Sequence, residues 1–326
     1  MNMTIFRAAS LFAYAVIVVV GSLGPAKSVA EGFPDRPITI RVAYPPGGPA
    51  DESIRTAAKV LEQALNAKLV ITNAPGANGS IAAAGVLNAD PNGFTLLGTT
   101  GTDFISAPRV VPSADYNPTA FHLLGQVGVA DFMLVSSSAR KFASLDELLD
   151  YARNPNNKPL LIAHWGDGSA PQIVGKAFQS KAGIELLEVP YKGAAPAIAS
   201  VIGGHVDLSF VPLSSATLGL MKSNKMHPIA LAAPNRSDVV PDVPTFSESD
   251  EFDNFSFSIW SALFAPPGTP EPVVQKLTDA MNAWTTSQAN IDRVRLNAGR
   301  LLPARTVADN AKLLAAEAKA LSEIFD

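Results

Sequence analysis

The sequence predicts an α/β protein whose sheets are mainly parallel and flanked by helices. Three observations carry that prediction. Short apolar runs alternate with amphipathic helical stretches from Pro37 onward, and Gly/Pro-rich loops stand between each run and the helix after it. In addition, 47% of the 326 residues are hydrophobic, enough for at least one large core. The length suits about two domains. No flexible linker, charge block or low-complexity tract divides the chain, so two lobes joined by chain crossings are expected rather than two separate beads.

The first unit opens with a strand at 38–43 and the loop Tyr44-Pro45-Pro46-Gly47-Gly48-Pro49. A helix follows at 51–65, with Ile54, Ala57, Ala58, Leu61 and Leu65 on one face. Asp51 suits its N-cap and Glu52 its first turn. The second unit has a strand at 68–72, the loop Asn73-Ala74-Pro75-Gly76-Ala77-Asn78-Gly79 and a helix at 80–89. A third strand, 94–98, leads into Thr99-Thr100-Gly101-Thr102.

A second series starts with a strand at 132–136 and a helix at 144–152, where Ser144 and Glu147 have capping-box spacing. Then come a strand at 160–163, the loop from His164 to Ser169, and a helix at 172–182. A strand at 186–190, the loop Tyr191-Lys192-Gly193 and a helix at 195–202 follow. The last strand of this series is at 207–211, before a helix that opens near Ser215. Two late amphipathic helices are expected at 272–284 and 307–325.

Residues 1–30 read as a secretory signal peptide. Arg7 charges the short leading segment, residues 8–20 are almost wholly apolar, and Ser28-Val29-Ala30 supplies small residues for cleavage after Ala30. The apolar run is short for a membrane span, which needs about 20 residues. Cleavage would remove Arg7 and Lys27 and leave 23 basic against 29 acidic side chains, a net charge of −6. That balance argues against a nucleic-acid or anionic-membrane partner. The absence of cysteine excludes a thiol nucleophile and a lipid-modified N-terminal Cys. A free, exported protein is expected, in the periplasm and monomeric.

Strand, Gly-rich loop, helix is the informative pattern. In open α/β sheets ligands bind at the carboxyl ends of the strands, where such loops lie. Glycine lets backbone approach a ligand, and the free N–H groups of a helix N-terminus attract anions. The candidate ligand contacts are Tyr44, Gly47, Gly48, Asp51, Ala77, Asn78, Gly79, Thr100, Thr102, Gly168, Ser169, Gln172, Lys192, Gly193 and Asp207. Asp51 fits a helix cap as well as a ligand contact, and Lys192 a surface lysine as well as a partner for a carboxylate. Tyr44 and Trp165 either wall the pocket or pack beneath their loops.

Motifs for chemistry are poor. Ser169 lies in Gly-Asp-Gly-Ser-Ala, which is not a nucleophile elbow. There is no dinucleotide fingerprint or Walker loop, and the four histidines have no metal-ligand spacing. No cofactor is expected. Two competing classes stay open: an exported α/β hydrolase using Ser169 with a distant His, and a ligand-sensing component that signals to a membrane protein.

Several stretches together resemble the substrate-binding receptors of tripartite tricarboxylate transporters, the Bug family. They are Tyr44-Pro45-Pro46-Gly47-Gly48-Pro49-Ala50-Asp51, Asn73-Ala74-Pro75-Gly76-Ala77-Asn78-Gly79 and Asp90-Pro91-Asn92-Gly93-Phe94-Thr95-Leu96-Leu97. The most specific is Val189-Pro190-Tyr191-Lys192-Gly193-Ala194-Ala195-Pro196-Ala197. Val239-Val240-Pro241-Asp242-Val243-Pro244-Thr245 and Leu263-Phe264-Ala265-Pro266-Pro267-Gly268-Thr269-Pro270 complete the match.

The resemblance implies a two-lobed periplasmic-binding-protein-like fold with two crossing segments. One lobe would be 31–128 plus 236–326 and the other 129–235. It implies a small carboxylate ligand, held in the interlobe cleft and delivered to integral membrane transporter subunits. The chain departs from the family's pattern at Pro49-Ala50, Asn78 and Gln172, where Gly-Thr, Gly and His are common, so ligand identity does not transfer.

Overall fold

The computed structural model describes residues 32–47, 49–297 and 299–325. The expected signal peptide and Gly48 lie outside the described residues. The first parallel set is β1 (Ile38–Val42), β2 (Leu69–Asn73) and β3 (Thr95–Thr100), interleaved with α1 (Pro49–Leu65), α2 (Ser80–Leu87) and α3 (Gly101–Val110). β1 lies between β2 and β3, parallel to both. The predicted apolar face of α1 is the buried one: Ile54, Ala57, Ala58, Leu61 and Leu65 all enter the core. Asp51 sits inside the first turn of α1, which starts earlier than its expected cap.

The long strand β4 (His122–Ser137) organises the rest. Its first part, through Asp131, pairs antiparallel with β9 (Ser258–Ala265), which in turn borders β3. From Phe132 on, β4 changes partners and runs antiparallel between β7 (Leu208–Pro212) and β8 (Met226–Ala232). β7 is parallel to β5 (Leu161–His164), and β5 to the edge strand β6 (Leu187–Pro190). The sheets are therefore mixed: parallel among β1–β3 and among β5–β7, antiparallel where β4, β8 and β9 join them. Helices α4 (Leu145–Arg153), α5 (Ala170–Ala182), α6 (Ala194–Ile202) and α7 (Ser215–Lys222) fill the second series. α8 (Glu271–Thr285), α9 (Gln288–Asn297) and α10 (Val307–Phe325) return to the first. Ser144 caps α4 by accepting from Glu147 N, while the Glu147 carboxylate accepts from Ala143 N rather than from Ser144 N.

Both sheet halves are covered on two faces, as strand alternation requires. On β3, Leu96 joins Ile38, Ile40, Leu61 and Trp284 on one side, while Leu97 joins Ala83, Phe104 and Trp260 on the other. On β7, Phe210 faces Phe178, Phe246 and Phe252, while Val211 faces Met133, Ala163 and Val240. The expected division placed 236–257 with the first sheet half. Val240, Val243, Phe246, Phe252 and Phe255 instead pack into the second, because their apolar side chains close the two faces that β4, β7 and β8 present.

Candidate functional site

The carboxyl ends of β1, β2, β3 and β5 meet along one seam. Tyr44 follows β1 and is half-buried; its hydroxyl donates to Asp103 Oδ2 at 2.8 Å and pairs with Thr100 Oγ1. Burial first, and then the Asp103 charge, push the Tyr44 phenol well above its ordinary range. Thr102 is also buried here.

Asp51, fully buried at 0% exposure, anchors this corner. Its Oδ2 accepts from Gly47 N at 2.9 Å and Arg55 Nε at 2.8 Å, and its Oδ1 from Asn73 Nδ2 at 2.7 Å. Burial alone would raise its pKa, but the hydrogen bonds from Arg55, Asn73 and Gly47 outweigh burial and hold the carboxyl below the usual range. Asp51 was expected to contact ligand; the structure gives its oxygens to protein donors, so it shapes the loop.

The loop after β2 is a left-handed turn. Ala77, Asn78 and Gly79 have φ of 47°, 50° and 83°. Such a conformation costs an L-residue roughly 1–2 kcal/mol and persists only where its surroundings enforce it. Asn78 Nδ2 donates across the seam to Asp167 O at 2.8 Å. At Gly79, an added Cβ would sit 3.1 Å from Ala43 Cβ and 3.2 Å from Thr99 Oγ1.

Across the seam lies the loop between β5 and α5. Gly168 N donates to Gln172 Oε1 at 2.7 Å, and Gln172 Nε2 donates to Glu188 Oε2 at 2.9 Å. Gly168 has φ of 73°, and its carbonyl accepts from Ser106 Oγ on α3 at 2.9 Å. Ser169 Oγ donates to Gly166 O at 2.6 Å, while His164 Nδ1 also sits 3.0 Å from that carbonyl. Ser169 is thus engaged by backbone, not by an imidazole. Lys192 is exposed beside this loop, and Gly193 N donates to Trp165 O at 3.2 Å at the start of α6.

Asp207 is a correction. It precedes β7 and lies at the amino end of that strand, opposite the seam. It accepts from Leu161 N at 2.9 Å and pairs with Arg140 Nε at 3.0 Å. The strand expected at 207–211 already has Asp207 at its amino end, whereas ligands in such sheets bind at the carboxyl ends. The reading also missed Asp103, Ser106 and Glu188. Thr99 to Thr102 read as a loop, but α3 starts at Gly101 and carries Asp103 in its first turn. Pro108 inside α3 masked the helical signal.

Two cavities lie outside the seam, the second of them reaching Asn73 and Ala74 at the start of the loop after β2. One is an apolar void among Ile40, Leu61, Leu277 and Met281. The other is an open groove of about 460 Å³ over Arg41, Thr72 and Gly85.

Two sheet halves sharing one long strand, with Gly-rich strand ends turned to a common seam, define a receptor of the periplasmic-binding-protein type. The family model described as the tripartite tricarboxylate transporter family receptor matches residues 53–324, and the chain belongs to that family. A relative from Agrobacterium vitis, a UPF0065 protein in the TAR-I ttuE-ttuC' intergenic region, is 31% identical over 264 residues, 81% of this chain and 75% of that protein. The periplasmic binding protein BugD superposes with a TM-score of 0.76 at 28% identity, covering 90% of this chain and 97% of its own. MatC of Rhodopseudomonas palustris, solved with bound malate, superposes with a TM-score of 0.78 at 26% identity, covering 90% and 100%.

Proposed function

We propose that this protein is an exported solute receptor that binds a small carboxylate in the seam and passes it to the membrane subunits of a tripartite tricarboxylate-type transporter. One observation carries the reading: the amino ends of α2, α3 and α5 converge on the seam, and the strained turn Ala77–Gly79 leads into one of them. Helix N-termini bring unpaired N–H groups and positive dipole ends, which suit a carboxylate. Malate in MatC is a ligand of that class.

In this reading Ala77 and Asn78 offer amides from one side and Thr102 a hydroxyl, while Gly47 N and Gly79 N stay with Asp51 and Gly76 and hold the loops in shape. Gly168, Lys192 and Gly193 approach from the other, with Ser169 and Gln172 fixing their loop. The lobes are 32–131 with 258–325, and 132–257. They hinge where β4 exchanges β9 for β7 and β8, between Asp131 and Phe132. The Asn78–Asp167 and Ser106–Gly168 contacts belong to the closed form and part to admit ligand. Residues 1–30 direct export to the periplasm, and the mature protein works as a monomer.

A thermal-shift and calorimetry screen against di- and tricarboxylates, aromatic acids and amino acids tests this. Saturable binding with the compound recovered unchanged is the expected result. In Ser169→Ala that binding weakens by no more than about tenfold, the size of one lost hydrogen bond. Conversion of a compound, abolished in Ser169→Ala, returns the hydrolase reading.

A further inference from the structure

Asp103 is the carboxylate that the receptor reading leaves unexplained. It is 8% exposed and sits where three elements meet: Tyr44 after β1, Thr100 at the end of β3, and the first turn of α5 across the seam. Oδ2 is engaged by Tyr44, but the buried Oδ1 has no hydrogen-bond partner. Tyr44, the Thr100 hydroxyl and the Ala170 N–H favour the charged form, whereas burial opposes it more strongly. Among the described residues Asp103 makes no ion pair, and the phenols of Tyr44 and Tyr116 near it are pushed upward by burial first and then by its charge. A buried carboxylate oxygen left without a donor, as Oδ1 is, is costly unless something supplies one.

The charges along the seam point the same way. Asp103 belongs to one side, and on the other Gln172 Nε2 lies 2.9 Å from Glu188 and 3.5 Å from Asp167. Arg55 is committed to Asp51. Lys192 is the exposed cation near these acids, and His164 Nε2 stands 3.8 Å from Glu188. The side chains are therefore net acidic, while the anion-seeking groups are backbone amides at helix ends. A dicarboxylate satisfies the amides and is repelled by the side chains. A molecule with an anion at one end and a cation at the other satisfies both.

Resting on the receptor reading, we infer that the seam selects a zwitterion of the amino-acid class, its ammonium donating to Asp103 Oδ1 and its carboxylate held by the helix-end amides. Asp103 is then a specificity-determining residue, and neither Asp51 nor Asp207 takes that role, since both are already engaged by the protein.

The test is calorimetric titration at pH 7.5 with amino acids and their deaminated counterparts as matched pairs: aspartate against succinate, glutamate against glutarate, phenylalanine against phenylpropionate and the rest of the standard set. The inference expects at least one amino acid to bind ten times or more tightly than its partner acid. It also expects Asp103→Asn to erase that preference, bringing the ratio of the two affinities below threefold. If a deaminated acid binds as tightly as its amino counterpart in the unaltered protein, the inference fails and the receptor reading stands. If no compound of either kind binds, both fall together. The comparison on the unaltered protein decides the matter even if Asp103→Asn folds poorly.

Discussion

Gly168 is where a single methyl group should oppose closure of the seam. Its φ of 73° lies in the left-handed region, and a Cβ built there falls 2.3 Å from Val110 Cγ2 and 2.9 Å from Cγ1. Val110 ends α3 on one side of the seam, while Gly168 precedes α5 on the other. Gly168→Ala therefore has two effects. The left-handed backbone costs about 1 kcal/mol in open and closed forms alike. The overlap with Val110 exists only when the seam is closed, and overpacking of this kind costs about 1–3 kcal/mol. Only the second effect opposes ligand binding, so affinity should fall about 5- to 150-fold at tenfold per 1.4 kcal/mol. Titration calorimetry reads the affinity, using the compound that gives the largest thermal shift, and melting of the unliganded protein reads the common cost. Val110→Ala in the Gly168→Ala background should restore part of the lost affinity. Unchanged affinity in Gly168→Ala, or no recovery in the double variant, would refute closure across this contact.

Three further predictions concern neighbouring groups. Asn78→Gly keeps the left-handed turn but removes the bond to Asp167 O, so affinity should drop about 2- to 13-fold, for a hydrogen bond of about 0.5–1.5 kcal/mol, with the melting temperature little changed; a large loss of melting temperature would make the bond structural instead. Asp51 has a folded-state pKa below its unfolded one, so its stabilisation is present above about pH 4 and is lost as pH falls through the folded value. Asp51→Asn should be less stable at neutral pH by roughly 1–3 kcal/mol and lose less on acidification, as urea melts across that range would record. Asp207→Ala breaks the Arg140 pair and the Leu161 bond, so it should lower the melting temperature while leaving ligand affinity within about twofold, a difference near 0.4 kcal/mol.

Much of the architecture was legible because local signals agreed with the fold. The α1 face, the Ser144 cap and the loops after β1, β2 and β5 follow from periodicity and from glycine placement. What failed was nonlocal. The first part of β4 contains Gly125 and Gly128 at register shifts against β9, so it lacks the uninterrupted alternation that marks a strand. β8 and β9 gain their identity from pairing with β4. The seam was legible as a set of Gly-rich loops, but not which acid would remain unsatisfied in it. Asp51 and Asp207 look as available as Asp103 until Arg55, Asn73 and Arg140 are placed in space.

A receptor of this kind binds its ligand in the seam between the two sheet halves and does no chemistry on it. The most direct measurement titrates the mature chain, residues 31–326, with the ligand panel by calorimetry and analyses each compound afterwards by mass spectrometry. One-to-one saturable binding of a carboxylate-bearing compound is expected, the compound recovered unchanged and its binding weakened by Gly168→Ala. Turnover of any compound, or binding indifferent to that substitution, would contradict it.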